Sequence, residues 1–283
     1  MVIDASTCGL YVANVNGLLK SHGFNLTVSV SDFKFLESIV IADGFNEERR
    51  FSNLLTRSIS PPIHVGEFYH YTSAIDAILQ SGTLRLTSLY KRIEEDEIEK
   101  FLSDFGFKHP LTIDPNTGRP RYQDSISKEI FYTSFTDVTL SETEEKYFWE
   151  TFAGKSGARM RFKILLGSGC LRKVVYGDAI RKSASFFREI SELTEKMLGK
   201  VFFWEDSATI CALHLPLDYQ IEKETRLITR RSSGLTIGNS NGFEFQEIKF
   251  GVNNPLNIRL ELLEIQTDQA IKNSSGALVK RRT

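Results

Sequence analysis

The chain has few of the residues from which disulfide frameworks, metal sites and membrane spans are built. Its three cysteines, Cys8, Cys170 and Cys211, lie far apart and form neither a CxxC pair nor a Cys/His cluster. This spacing is typical of small buried side chains in a reducing compartment. No apolar run approaches the ~18 residues of a membrane-spanning helix, and the first residues, MVIDASTCGL, lack the basic and apolar regions of a signal peptide. The sequence therefore predicts a cytoplasmic protein without a membrane anchor.

An excess of charge of one sign is also missing. The formal net charge is −1 at pH 7, although 25% of the residues are charged. Because no overall basic field draws nucleic acid or anionic lipid to the protein, any site for a polyanion has to be a local patch. Aromatic residues, in contrast, are abundant, with 21 Phe and 9 Tyr. This composition favours a β-rich core or a pocket lined by rings.

The order of the strand and helix patterns predicts an α+β fold, because many strands do not alternate regularly with helices. The prolines of SISPP, residues 58–62, mark the best candidate boundary. We therefore expect an N-terminal extension over residues 1–62, a main domain over 63–270 and a flexible tail over 271–283. Residues 109–123 contain three prolines and two arginines, which predicts a surface loop.

Three predicted strands carry polar side chains where a core strand would normally have Val or Ile. They contain the sequences YHYTS (residues 69–73), TSFT (133–136) and EKETR (222–226). Side chains alternate across a strand, so Glu222, Glu224 and Arg226 are expected to share one face. Two carboxylates so close together repel each other by about 1 kcal/mol in a partly screened environment. A nearby arginine or a cationic ligand would relieve this repulsion, so the pattern suits a site where positive charge develops.

Each of these residues also has an ordinary structural interpretation, which the sequence leaves open. His70 is also compatible with a core histidine that hydrogen-bonds a backbone carbonyl. Ser134 and Thr136 are compatible with plain strand hydroxyls, and Glu222 and Glu224 with a surface ladder of ion pairs. We expect Arg226 to brace Glu224 rather than to contact a substrate.

Four motifs in order resemble a known family. YHYTS followed by AILQSGTLRLTS, then YTSFT, then FWETFAGKSGARMRF, then EKETRLI, is similar to a bacterial family of unknown function. That family is marked by His-Tyr-Thr-Ser, Ser-Phe-Ser and Glu-x-Arg motifs and has been grouped with the ADP-ribosyltransferase superfamily. The resemblance covers roughly residues 66–266. It implies a mixed fold with two apposed, mainly antiparallel sheets around an NAD cleft, and flanking helices.

The resemblance also implies roles for individual residues. Glu224 matches the catalytic glutamate that hydrogen-bonds the 2′-hydroxyl of the nicotinamide ribose, and Glu222 matches the residue that orients or deprotonates the acceptor. His70, Tyr71 and Thr72 lie on the strand that holds NAD, with His70 on a ribose hydroxyl and the backbone near Tyr71 on the nicotinamide amide. Ser134, Phe135 and Thr136 of the second motif are likewise expected to belong to the NAD-binding site. The two hydroxyls of that motif brace the site, and Phe135 or Tyr132 supplies a ring for stacking.

The expected activity is transfer of ADP-ribose from NAD to a macromolecule, with nucleic acid slightly favoured over protein and with no metal required. Many bacterial relatives are toxins or act in anti-phage defence, so the resemblance permits an antitoxin or chaperone as a partner. Two alternatives stay open: an NAD glycohydrolase, in which water replaces the acceptor, and a non-catalytic member that binds a nucleotide or a partner.

Overall fold

A computed structural model describes residues 4–41, 56–57, 59–89, 128–166, 170–203, 207–240 and 242–267. Within these ranges the protein is α+β, as the sequence predicts. The 109–123 loop and the 271–283 tail lie outside the described residues. No helix in the described part of the chain is long and apolar enough to cross a membrane.

Helices are a minority of the described elements. The α-helices are α1 (Ala5–Ser21), α2 (Ile75–Ser81), α3 (Glu142–Phe148), α4 (Asp178–Leu198) and α5 (Ser207–Ala212). A π-helix at Trp149–Ala153 continues α3 directly. Short 3-10 helices occur at Val30–Asp32, Leu217–Glu222 and Arg231–Ser233.

Most of the regular structure is β. The strands are β1 (Lys34–Phe35), β2 (Ile39–Ile41), β3 (Pro62–Ile63), β4 (Val65–Thr72), β5 (Thr83–Ser88), β6 (Ile130–Asp137), β7 (Ala158–Leu166), β8 (Leu171–Lys173), β9 (Val175–Tyr176), β10 (Val201–Phe203), β11 (His214–Leu215), β12 (Thr225–Arg230), β13 (Ile237–Ser240), β14 (Phe243–Lys249) and β15 (Ile258–Thr267).

The chain divides into two compact units, each assembled from three segments. The first unit contains residues 1–61, 90–128 and 175–215, and the second contains 62–89, 129–174 and 216–283. Both units therefore depend on contacts between distant parts of the chain. The division into domains at residues 62 and 270 stays a prediction, since a compact unit need not be an independently folding domain.

The first unit is organised by α1 and α4. Asp4 caps α1 by accepting a hydrogen bond from the Thr7 amide at 2.8 Å. One face of α1 is fully buried, and its Tyr11 hydroxyl lies 2.7 Å from Thr194 Oγ1 on α4. A three-stranded sheet, β1-β2-β10, completes the described part of this unit together with the short β9–β11 pair. Nearby, the buried Lys200 ammonium donates to the Leu36 carbonyl at 2.6 Å, which satisfies the charge through the backbone.

The second unit is a ten-stranded sheet with two branches that meet at β6. One branch has the strand order β13-β14-β5-β6-β12-β8-β3, and the other runs β15-β7-β4 and joins β6 through β4. Each pairing between the described strands of this unit is antiparallel. The core lies on these strands and is rich in Phe, including Phe68, Phe131, Phe135 and Phe162.

β6 passes from one branch to the other near its end. Residues 130–135 pair with β12, and Phe131 and Tyr132 also pair with β5. Only the last two residues, Thr136 and Asp137, pair with β4. On β4 the partners are Tyr69 and Phe68, so the pairing stops one residue before position 70. The two branches therefore separate beside His70, which stays paired with Met160 of β7.

Candidate functional site

Every residue of the candidate site belongs to the second unit. At its centre is Glu224, which directly precedes β12 and is 3% exposed. Arg226 is 1% exposed, and its Nε and Nη2 atoms donate to Glu224 Oε1 and Oε2 at 2.8 and 2.9 Å. The guanidinium also lies 4.5 Å above the ring of Tyr132. The bidentate pair fixes the orientation of the carboxylate and supplies the countercharge that a buried anion needs. This agrees with the expectation that Arg226 braces Glu224.

Ser134 connects Glu224 to His70. In the antiparallel register Ser134 lies directly opposite Arg226, and its Oγ donates a hydrogen bond to Glu224 Oε1. The backbone carbonyl of the same serine accepts a hydrogen bond from His70 Nδ1 at 2.9 Å. The histidine and the glutamate, which are separated by more than 150 positions in sequence, therefore share one residue as a partner.

The hydrogen bond to Ser134 determines the tautomer of His70. Because a carbonyl can only accept, Nδ1 carries the proton and Nε2 is the acceptor of the neutral ring. Burial lowers the pKa of His70, and the carbonyl of Ser134 opposes this effect only in part, so the neutral form is favoured at pH 7. Nε2 has no hydrogen-bond partner among the described residues, and this atom is not fully buried. His70 thus has the carbonyl-bonded role expected of a core histidine, and Nε2 is the ring nitrogen left to accept a further hydrogen bond.

The prediction that Glu222, Glu224 and Arg226 share one strand face is wrong in part. Glu222 ends the 3-10 helix at Leu217–Glu222, and Lys223 adopts a left-handed conformation with φ 41°. Since β12 begins only at Thr225, the alternation of side chains holds for Glu224 and Arg226 but does not extend to Glu222. The physical reason is that the chain changes direction at the left-handed Lys223. Glu222 therefore lies at the end of the 3-10 helix, whereas Glu224 directly precedes β12.

Glu222 is held by groups from two other elements. Its side chain is buried, and Oε1 accepts a hydrogen bond from the Tyr147 hydroxyl at 3.1 Å. Its backbone carbonyl accepts one from Thr136 Oγ1 at 3.2 Å. Thr136 is therefore a brace of this loop, as expected of the second-motif hydroxyls. The contact of Tyr147 with Glu222 was not anticipated, since the only signal for it is a tyrosine in an ordinary amphipathic helix.

Tyr71 and Thr72 lie on β4, where Tyr71 is on the opposite strand face from His70 and Thr72 is on the same face at the end of the strand. The Tyr71 ring stacks on Phe148 at 5.0 Å and meets Trp149 edge-on at 5.7 Å. Burial raises the pKa of Tyr71 to about 12, and the nearby Arg159 acts in the opposite direction. Thr72 Oγ1 accepts a hydrogen bond from the Ala74 amide at 3.0 Å, where the chain turns into α2. The Tyr71 ring and the Thr72 hydroxyl therefore have structural partners, and the expected contact of the Tyr71 backbone with nicotinamide stays a prediction.

The expected stacking role of Phe135 does not fit its position. Phe135 is 2% exposed and packs against Phe68, His70 and Phe162 in the core. Its ring lies 5.7 Å from the His70 ring and helps to fix that side chain. A ring enclosed in this way has no free face for a nicotinamide or adenine group. We therefore assign Phe135 to the support of His70.

The two arginines of β7 are paired with carboxylates. Arg159 binds Glu145, and Arg161 binds Glu67 and lies 3.8 Å from Glu264. Their charges are thus largely neutralised within the protein. Arg231 likewise pairs with Glu244, whereas Arg119, Arg121 and the basic residues at 280–282 lie outside the described residues.

Comparison with known proteins adds no family assignment. The chain matches no protein-family model, no curated protein sequence and no solved structure.

Proposed function

We propose that the protein is an NAD-dependent ADP-ribosyltransferase that modifies a macromolecule. In this proposal the two branches of the sheet form an ADP-ribosyltransferase-like fold, and NAD lies where they separate beside His70. One observation carries the proposal: Ser134 hydrogen-bonds Glu224 through its side chain and His70 through its backbone. The three motifs that the resemblance assigns to NAD chemistry are thereby joined by two hydrogen bonds.

The donor set fits the chemistry that NAD supplies. Cleavage between nicotinamide and C1′ of its ribose passes through a transition state with positive charge on the sugar, as in glycoside cleavage. Glu224 would stabilise that charge and accept a hydrogen bond from the 2′-hydroxyl. Arg226 keeps Glu224 oriented, and Ser134 fixes Oε1. His70 Nε2 would accept a hydrogen bond from a second ribose hydroxyl, because Nδ1 is committed to Ser134.

The transfer step needs no group beyond NAD and an acceptor with a nucleophilic N, O or S atom. The bond from C1′ to the pyridinium nitrogen breaks, and nicotinamide leaves with the electron pair. A lone pair of the acceptor forms the new bond to C1′, and the acceptor proton passes to Glu222. Arg159 and Arg161 do not decide between nucleic acid and protein as the acceptor, because carboxylates pair with them. A toxin or defence role, and an antitoxin or chaperone partner, rest on the resemblance alone.

The test uses the purified chain and NAD labelled on the adenylate side. Nicotinamide release and label transfer are measured with RNA, DNA or lysate protein present in separate reactions. Label in one of these polymers supports the transferase. Nicotinamide release without transfer would identify a glycohydrolase, and NAD binding without turnover would identify a non-catalytic member.

Glu224→Gln tests the mechanism, because it keeps the size of the side chain and removes the charge. We expect turnover to fall by about 10²–10³-fold, the usual effect of losing one contact made in the transition state. Ser134→Ala, which keeps the carbonyl that binds His70, should reduce turnover about tenfold. Glu247→Gln, in an exposed ion pair with Arg85, is the matched control and should behave as wild type. Survival of Glu224→Gln within about threefold of wild type would contradict the mechanism.

A further inference from the structure

Helix α3 contacts two consecutive residues of the loop that carries Glu222. Tyr147 donates its hydroxyl hydrogen to Glu222 Oε1 at 3.1 Å, and Glu144 pairs with the Lys223 ammonium at 2.5 Å. Glu144 and Tyr147 are three residues apart and so lie on one face of the helix. One helical face therefore holds the side chains of both loop residues.

The helix itself is well anchored at its start. Ser141 caps α3, and its own amide donates a hydrogen bond to the Glu144 carboxylate at 2.8 Å, which completes a capping box. The same Glu144 carboxylate binds Lys223, and these contacts lower the pKa of Glu144 to about 2. Lys223 in turn holds a left-handed conformation that is unfavourable for a residue with a side chain. The loop conformation is thus maintained by contacts with α3 rather than by its own backbone preference.

The Tyr147 hydroxyl acts as a donor at neutral pH. Burial raises the pKa of Tyr147, and the neighbouring Glu222 carboxylate raises it further. Its ring packs edge-on against Phe148 at 5.7 Å and Phe152 at 6.1 Å, which restricts rotation of the side chain. A protonated hydroxyl on a restricted ring fixes the position of one carboxylate oxygen of Glu222.

We propose that Tyr147 is a positioning residue that sets the orientation of Glu222 toward the acceptor. It thereby determines the fraction of cleaved NAD whose ADP-ribose is transferred to the acceptor rather than to water. This inference rests on the proposed ADP-ribosyltransferase function and assigns no contact between Tyr147 and NAD. If Tyr147 positions Glu222, replacing Tyr147 changes transfer only while the Glu222 carboxylate is present. A purely structural role of Tyr147 would not depend on that carboxylate.

A double-mutant cycle tests this requirement. Wild type, Tyr147→Phe, Glu222→Gln and the double variant are incubated with biotin-labelled NAD and a cell lysate as the acceptor pool. Transferred label and released nicotinamide are measured in the same reactions. Tyr147→Phe should lower transfer about three- to tenfold, as expected for one lost hydrogen bond, and change nicotinamide release less than twofold. In the Glu222→Gln background it should change transfer less than 1.5-fold, because coupled residues are not additive.

The controls separate failure of this inference from failure of the proposed function. Tyr176→Phe removes a tyrosine hydroxyl from the first unit and should leave both signals unchanged, and thermal melting checks that each variant is folded. Equal losses of transfer and nicotinamide release in Tyr147→Phe, or additive effects in the double variant, would overturn the positioning role alone. Nicotinamide release by the wild type without transfer of label would also overturn the positioning role, although it would still show that the protein cleaves NAD. No nicotinamide release from wild type would refute the proposed function itself.

Discussion

Arg226 and Glu224 form a two-point ion pair inside the second unit, with N–O distances of 2.8 and 2.9 Å and less than 5% exposure of either side chain. Transfer of both charges out of water carries a desolvation cost of several kcal/mol per ion, which the pair offsets only through its geometry. Breaking one partner is therefore far more harmful than replacing both. Buried ion pairs of this kind occur at functional sites as well as in purely structural networks.

We predict that Arg226→Met lowers the free energy of unfolding by about 3–5 kcal/mol, because it leaves the Glu224 charge buried without a partner. The double variant Glu224→Gln/Arg226→Met should recover most of this loss. Urea denaturation followed by circular dichroism measures both values. Arg85→Met, which disrupts an exposed pair with Glu247, is the matched control and should cost less than about 1 kcal/mol. A double variant no more stable than Arg226→Met would show that the charge is not the cause.

Acidification should destabilise the protein through His70. Burial lowers the pKa of this histidine from its ordinary 6.5, so the unfolded chain takes up a proton before the folded chain does. The unfolded state therefore binds more protons in this range, and the free energy of unfolding falls as the pH drops below about 6.5. His70→Asn keeps an N–H that can donate to Ser134 but does not titrate. Urea denaturation at pH 7.5 and 5.5 should show a smaller decrease for His70→Asn than for wild type, and equal decreases would contradict the assignment.

Local patterns predicted several elements well. The strands predicted at YHYTS and TSFT are β4 and β6, and Gly82 ends α2 in a left-handed conformation with φ 63°, as a glycine after a helix usually does. The start of α2 was less predictable. The helix begins at Ile75 without a side-chain cap, and Thr72 Oγ1 accepts a hydrogen bond from the Ala74 amide just before it. The hydroxyl residues that precede the helix therefore do not by themselves fix where it starts.

The candidate site was predictable only through its motifs. His70, Ser134 and Glu224 are brought together by the register of β6 with β4 and β12, and no local periodicity encodes a contact between strands so distant in sequence. The turn at Lys223 was missed because lysine gives no signal for a left-handed residue, unlike Gly or Asn. Tyr147 was missed for a different reason: its spacing in α3 is the same whether its hydroxyl is used or not.

The connection between the π-helix and β7 allows no side chain at position 157. A Cβ on Gly157 would lie 2.1 Å from the Ala153 carbonyl oxygen and 2.3 Å from that of Thr72. Both atoms belong to the backbone, and Thr72 directly follows the His70–Tyr71 pair on β4, so relief of the overlap requires the strand to move. The tight approach therefore fixes the end of β4 against the start of β7.

Gly157→Ala should consequently lower the free energy of unfolding by at least about 2 kcal/mol, since overpacking against backbone cannot be relieved by rotation of a side chain. Gly9→Ala in α1 is the control: its Cβ meets nothing within 4 Å, and alanine is the better helix former by about 1 kcal/mol. We expect Gly9→Ala to stabilise the protein or leave it unchanged in the same denaturation assay. If the two substitutions shift the unfolding midpoint alike, the close approach of Thr72 to Gly157 is not a constraint on β4.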